Sequence, residues 1–526
     1  MNRTLATAHA LPGRSGRLSR RWHARAALSV AAIATTAACS DTAVPFFDAP
    51  TTVPTSTTGV QNAVTGLFSG ARTDVTEYVR LAGSYGRDML WFISAAPVEV
   101  TIAGGLTPVS PGNFAFNNAW DNEYRQAKEA NTIVASLAKV PAYSPAQAAA
   151  ITGVVQTVKA LMFMMLAETR DTLGIPLYTI VNNPAAAPYC NKDVWAYIVA
   201  LLDSANTSLN AAGPIPLPVV LPPGFAAVGQ TASPSTAQGS FAAFNRALAG
   251  KAGLELAYAI ARNSVSTHPT PTSPGNPDVN ALTRADSALT HSALYNPAVI
   301  APPVAGPFPL DAFGVYHNFS GQAGDQQNGV FTAYFNFDAL WDLQNDVDTL
   351  NDLRWKNKFV PDLNPVQVAQ YAGVSDARNY LPYSTVSSPI PIVRAEELAL
   401  VRAQIRLGLG DLAGATALIN LVHQQAGGFT TPLTIPQTYT AVRDSLLKEQ
   451  RISTVEEASG DRMIALRMYH LEAVADTTWQ ARSGPDAVVV AGLGGPSVVT
   501  DYHTTVSPIP VNEYTARGGA YVPQCP

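Results

Sequence analysis

Cysteine is nearly absent from this chain, with three residues in 526, and no Cys-x-x-Cys pair occurs, which removes the disulfide-dense scaffolds and the usual zinc frameworks. The eight histidines show no ligand spacing. Charged residues make up 13% of the chain and lysine is scarce, so no basic stripe is available for nucleic acid. After residue 39 every apolar stretch is interrupted by Pro, Gly or a charge before eighteen residues, and no membrane span is expected there. Catalytic signatures are missing too. There is no Gly-x-Ser-x-Gly elbow, no His-Glu-x-x-His and no phosphate-binding loop. Glu456 and Glu457 are paired carboxylates, but neighbours on a helix point in different directions, unlike a glycosidase pair. The reading is a protein that is not an enzyme and needs no cofactor.

What is present begins with an address. Residues 1–25 carry Arg3, Arg14, Arg17, Arg20, Arg21 and Arg25 and no acid, and 26–38 is a small-residue and apolar run ending Thr36-Ala37-Ala38 against Cys39. This is the pattern of a secretory signal covering 1–38, too short to span a bilayer. A cysteine directly after the cut resembles a bacterial lipobox, in which the thiol is acylated. Thr36 departs from the usual aliphatic residue, and the alternative is an ordinary secreted protein cut near Ala38. Removing 1–38 takes six of 33 basic residues and none of 38 acids, so the formal net charge moves from -5 to -11. If Cys39 carries lipid, Cys190 and Cys525 remain as an even pair in an oxidising compartment and are expected to be bridged.

Residues 39–58, rich in Thr, Pro, Ser and Ala, read as a flexible tether, and 59–526 as the folded body. Helical periodicity governs that body. Apolar positions predict helices over 60–81, 116–140, 194–212, 241–263 and 278–294, and a longer one to about Thr172 opened by Ser144 as cap and Pro145 at its first position. Segments 214–237 and 264–277 are Pro, Gly, Ser and Thr rich and receive no regular structure. Residues 296–391 lack helical periodicity yet hold many aromatics, Tyr316, Phe335 and Trp341 among them; irregular stretches of such length are usually functional. Helices return at 392–409 and 412–425, separated by Gly410-Asp411. Two amphipathic helices on so tight a turn form a pair that must stack on others to bury its apolar face. The fold class is therefore all-α, tetratricopeptide-like helix pairs with long irregular loop insertions.

The segment Arg394-Ala395-Glu396-Glu397-Leu398-Ala399-Leu400-Val401-Arg402-Ala403, followed by Leu409-Gly410-Asp411, Ala415, Ile419-Asn420 and Ala426-Gly427, resembles the helix pair of the SusD/RagB family of outer-membrane nutrient-binding lipoproteins. Asp171-Thr172-Leu173-Gly174-Ile175-Pro176-Leu177, the stretch from Leu446 to Arg467, and Pro508-Ile509-Pro510 with Glu513 resemble further family segments, in the family's order. Trp120, Tyr124 and Asn131 fall as expected in the second helix. Gln404, Ala465 and two extra residues around Ser459-Gly460 depart from the pattern.

The resemblance implies a lipid-anchored, surface-exposed outer-membrane protein that captures oligosaccharides, or peptides, and delivers them to a SusC-like TonB-dependent transporter. A secreted surface hydrolase and an architectural surface lipoprotein are the alternatives. Sugar capture on flat ring faces makes Tyr85, Arg87 and Trp91 near the first helix, with Tyr316, Phe335 and Trp341, the substrate-binding candidates, although any one such ring is more often core. Asp346, Asp348, Asn351 and Asp352 form an acidic cluster without the glycine and distal glutamate of a Ca2+ loop, and no metal is expected. The acids and bases of 396–402 and 449–462 read as solvated or paired faces that hold helices in register.

Overall fold

The periodic apolar stripes fold as helices that bury those stripes against one another in sequence order. The computed structural model describes residues 53–86, 114–177, 187–226, 237–263, 269–270, 272–311, 313–317, 347–361, 378–385, 387–471 and 507–522. All of them belong to the unit Thr52–Pro526. Cys39, Arg87, Trp91, Phe335, Trp341 and Cys525 lie outside the described residues, as do the signal and most of the tether.

The first helix, α1 (Thr57–Gly86), starts inside the stretch read as tether. Its Val60, Val64, Leu67, Phe68, Ala71, Val75, Tyr78 and Val79 recur at helical spacing and are buried. It packs on α2 (Phe114–Leu137), which packs on α3 (Pro145–Arg170). The start of α3 is set by a capping box: Gln147 N–H donates to Ser144 Oγ at 3.2 Å and Ser144 N–H to Gln147 Oε1 at 3.0 Å. Beyond Ala150 this helix is buried on nearly every side. The span Pro145–Leu173 is long and apolar enough to cross a membrane by length and composition alone. It is instead a core helix, with 83% of its most apolar window buried inside the protein. Gly153 and Lys159 break the run in sequence only; Lys159 Nζ is satisfied by Asn131 Oδ1 at 2.9 Å and Tyr197 Oη at 3.2 Å.

Next come α4 (Asn191–Ala212), the short α5 (Pro223–Ala226), α6 (Ala237–Arg262) and α7 (Val279–Thr290), the last capped by Asp278, whose side chain accepts from Ala281 N–H at 2.7 Å. α3 packs on α4, α4 on α6 and α6 on α7. Close approach needs small residues. A Cβ at Gly153 would lie 2.5 Å from Leu209 Cγ, and one at Gly250 would lie 2.4 Å from Leu289 Cδ2.

The aromatic-rich stretch contributes short pieces. Strand β3 (Gly314–His317) pairs antiparallel with β6 (Ile390–Arg394), and β4 (Phe359–Pro361) with β5 (Arg378–Tyr380). A further ladder joins β1 (Ile175–Pro176) and β2 (Pro188–Tyr189). Helices α8 (Val347–Asn351) and α9 (Leu353–Lys358) lie between β3 and β4. The expected helix from Ile392 therefore begins later, at Ala395: Pro391 and the β-branched Ile392-Val393 favour extended backbone, and pairing with β3 takes them.

The pair α10 (Ala395–Gly408) and α11 (Leu412–Gln425) turns at Gly410, whose φ of +77° suits glycine, and Asp411 caps α11 by accepting from Gly414 N–H at 2.8 Å. α10 packs on α6 and α7, and α12 (Tyr439–Thr454) packs on α10 and α11. The stretch from Leu446 to Arg467, which resembles a family segment, spans two helices. α13 (Asp461–Met468) follows a break at Val455–Gly460 and packs back on α1. The break is imposed from outside: Tyr380 Oη donates to Val455 O, Tyr383 Oη to Glu456 O, and Ala458 N–H to Pro391 O. Segment 507–522 carries the short α14 (Val511–Ala516), and Ser507 N–H donates to Thr169 O at 2.7 Å. The architecture is a succession of tetratricopeptide-like helix pairs with irregular insertions.

Candidate functional site

Two kinds of polar surface have to be told apart: charges the fold has buried for itself, and charges it leaves facing outward. The acids and bases of α9, α10 and α12 are of the first kind. Arg354, fully buried, donates to Asp352 at 2.6 Å, Glu449 at 2.5 Å and Ser453 Oγ at 2.7 Å. His423 Nδ1 lies 3.0 Å from the other oxygen of Glu449. Arg394 meets Glu457 at 2.6 Å and Glu396 at 3.2 Å, with its guanidinium over the Phe308 ring, and Lys358 meets Glu457 at 3.2 Å. Lys251 of α6 meets Glu397 of α10 at 2.5 Å. Burial alone would raise the Glu449 and Glu396 carboxyls, but the facing cations hold both below the usual carboxylate range. These groups are paired, as expected for register-holding faces. Most of them are buried, with Arg394, Arg402, Asp461 and Arg462 half-buried, so these faces are paired and not solvated.

The sequence candidates divide. Asp348 and Asn351 stand exposed on α8, whereas Asp352 is committed to Arg354 and to the cap of α9, so these three do not converge on one ion. Among the described residues no group of three or more His, Cys, Asp or Glu could hold a metal ion. Tyr85 is 2% exposed, and its hydroxyl accepts from Ser507 Oγ at 3.0 Å. Tyr316 is 1% exposed, with its hydroxyl donating to Asp311 Oδ2 at 3.0 Å. Neither ring offers a face to a ligand, which corrects both assignments. Tyr85 lies seven residues beyond Tyr78 on the buried stripe of α1, so its periodicity already marked it as core. Cys190, at the start of α4, is disulfide-bonded, and its partner lies outside the described residues.

An outward-facing groove exists where sequence reasoning did not look. A groove of about 510 Å3 runs between α4, α6 and α7. On α4 its wall is Asp203, Asn206 and Asn210, spaced three and four residues apart on one face. On α6 the floor is small, Gly239, Ala242 and Ala243, leading to Arg246 one turn on. The far wall, on α7 and just past it, is Arg284, Ser287 and His291. Arg246 is fixed in place: Nη1 meets Asp203 at 3.0 Å, Nη2 donates to Leu202 O at 3.0 Å and Nε to Asn245 Oδ1 at 2.9 Å. His291 Nδ1 donates to the Ser287 carbonyl at 2.7 Å, which leaves its other ring nitrogen for the groove. Arg284 is exposed and has no ion-pair or hydrogen-bond partner among the described residues.

Such a lining can bind and orient a polar ligand. It presents two guanidiniums, two amides, a hydroxyl and an imidazole over a shallow floor, with no nucleophile held by a general base and no two free carboxylates across a gap. The signal in sequence was a polar stripe at helical spacing on α4 facing the alanine-rich α6, visible only once the helices are known to be neighbours.

No protein-family model and no curated protein matches the chain by sequence. Solved structures do match by fold. A SusD homolog from Bacteroides thetaiotaomicron superposes with a TM-score of 0.59 at 12% identity, covering 89% of this chain and 96% of that one. A SusD superfamily protein from the same organism gives 0.57 at 15% identity, covering 88% and 98%. Surface glycan-binding protein A, also from that organism, gives 0.50 at 15% identity, covering 89% and 98%. The helix-pair architecture is thus that of a known class of helical, tetratricopeptide-like proteins. Within that class the chain is SusD-like in fold.

Proposed function

We propose that this chain is a surface-exposed, lipid-anchored outer-membrane protein that captures oligosaccharides and delivers them to a SusC-like TonB-dependent transporter. The observation that carries the reading is the fold match, 88–90% of this chain against 96–100% of SusD-superfamily and sugar-binding structures. The lipobox-like Cys39 after a secretory-type signal fits an exported protein held at a membrane by lipid. The groove supplies a ligand surface that binds without a catalytic pair.

Capture is tested by incubating the purified chain with an arrayed oligosaccharide library and following both retention and chain length. At least one glycan is expected to be retained at its original length. Release of shortened products would turn the reading toward a hydrolase, and failure to retain any glycan would refute it. Delivery is tested separately, by affinity purification from outer membranes, where a barrel transporter is expected to copurify.

A further inference from the structure

From the groove between α4, α6 and α7 we infer that the captured glycan carries carboxylates, its uronic-acid groups held by Arg284. This rests on the glycan-capture reading and narrows it to a substrate class.

The argument starts from what lines the groove. A neutral pyranose is held largely through aromatic rings packed on its apolar face, and no aromatic or large aliphatic side chain contributes to this lining. What remains is hydrogen bonding and charge. Of the two guanidiniums, Arg246 is already neutralised by Asp203 and tied to the Leu202 carbonyl within α4. Arg284 is not. The nearest acid on its own helix, Asp286, is engaged by Arg402 at 2.8 Å and Arg406 at 2.7 Å. Among the described residues Arg284 therefore presents a positive charge without an ion-pair partner, and its planar fork matches a carboxylate two bonds at a time.

The other groups suit the rest of a sugar. Asn206 and Asn210 offer amides that both donate and accept, and Ser287 a hydroxyl, spaced along the groove for successive ring hydroxyls. Gly239, Ala242 and Ala243 keep the floor low enough for a ring to approach the helix surface.

The test titrates the purified full-length chain with an oligogalacturonate and with its methyl ester, which keeps the ring and hydroxyls but removes the charge. The acid is expected to bind about tenfold or more tightly than the ester, and to weaken as salt rises. Arg284→Ala is expected to erase that preference while leaving Tm unchanged, because the side chain is exposed. Ser287→Trp, also at an exposed position, is expected to block both ligands by filling the groove. Equal binding of acid and ester, or an acid preference that survives both substitutions, would overturn the inference while leaving glycan capture standing. Binding of an acidic peptide but of no glycan in the array would overturn glycan capture itself, and this inference with it.

Discussion

A single residue in this protein can be in one of two electrostatic situations, and the difference governs how it responds to pH. Arg354 is surrounded by Asp352, Glu449 and Ser453 and stays charged at any accessible pH. Glu168 of α3 is the opposite case. It is buried, and loss of water pushes its carboxyl up to about 7, although Lys251 nearby pulls the other way. The folded state therefore holds the proton more tightly than the unfolded chain, whose carboxyl sits near 4.5. The stability from that proton is fully present below the unfolded value and is lost as pH rises through about 7. We expect Tm to fall between about pH 5 and about pH 8, and Glu168→Gln, which keeps the shape without the titration, to flatten that fall. An equally steep profile in the variant would show that Glu168 does not titrate there. Glu397, also raised to about 7 by burial against the pull of Lys251, would then be the group to replace.

Elements whose boundaries depend on local chemistry were legible in the sequence, and those set by distant contacts were not. Ser144 and Pro145 specify the start of α3, and Gly410-Asp411 the turn between α10 and α11, because caps and positive-φ turns are properties of a few adjacent residues. The strand at 390–394 was hidden by its apolar run, since only its partner Gly314–His317 decides between helix and extended chain. The break between α12 and α13 was hidden for the same reason: Tyr380, Tyr383 and Pro391 hold its backbone from outside. The groove was the least legible feature, because its walls belong to three helices and no one of them carries a motif. Helix spacing itself can be tested at Gly153. A methyl there would meet Leu209 Cγ at 2.5 Å and Ala205 O at 2.9 Å, so α3 and α4 would have to move apart. Gly153→Ala should cost about 1–3 kcal/mol in denaturant unfolding despite its better helix propensity. A neutral or stabilising result would mean the interface yields easily.

At the scale of the whole molecule, the chain closes on itself near its end. α13 packs back on α1, Ser507 joins Thr169 and Tyr85, and Tyr521 Oη donates to Gly174 O at 2.9 Å, just ahead of the β1–β2 ladder that leads into Cys190. Cys525 follows Tyr521 by four residues, so its sequence neighbour is already docked beside that ladder. Cys190 is disulfide-bonded, and only Cys39 and Cys525 can supply its partner. A cysteine whose sulfur is thioether-linked to diacylglycerol has no thiol left to oxidise. Lipidation of Cys39 therefore requires the bridge to join Cys190 and Cys525 in the mature protein. Peptide mapping without reductant should recover the Cys190 and Cys525 peptides joined, together with an acylated Cys39 peptide. Cys39→Ser should release the protein from membranes into the soluble fraction with the bridge intact. Recovery of Cys39 joined to Cys190 would abolish the anchor and the C-terminal staple in one observation, and with them the placement of this protein at a membrane surface.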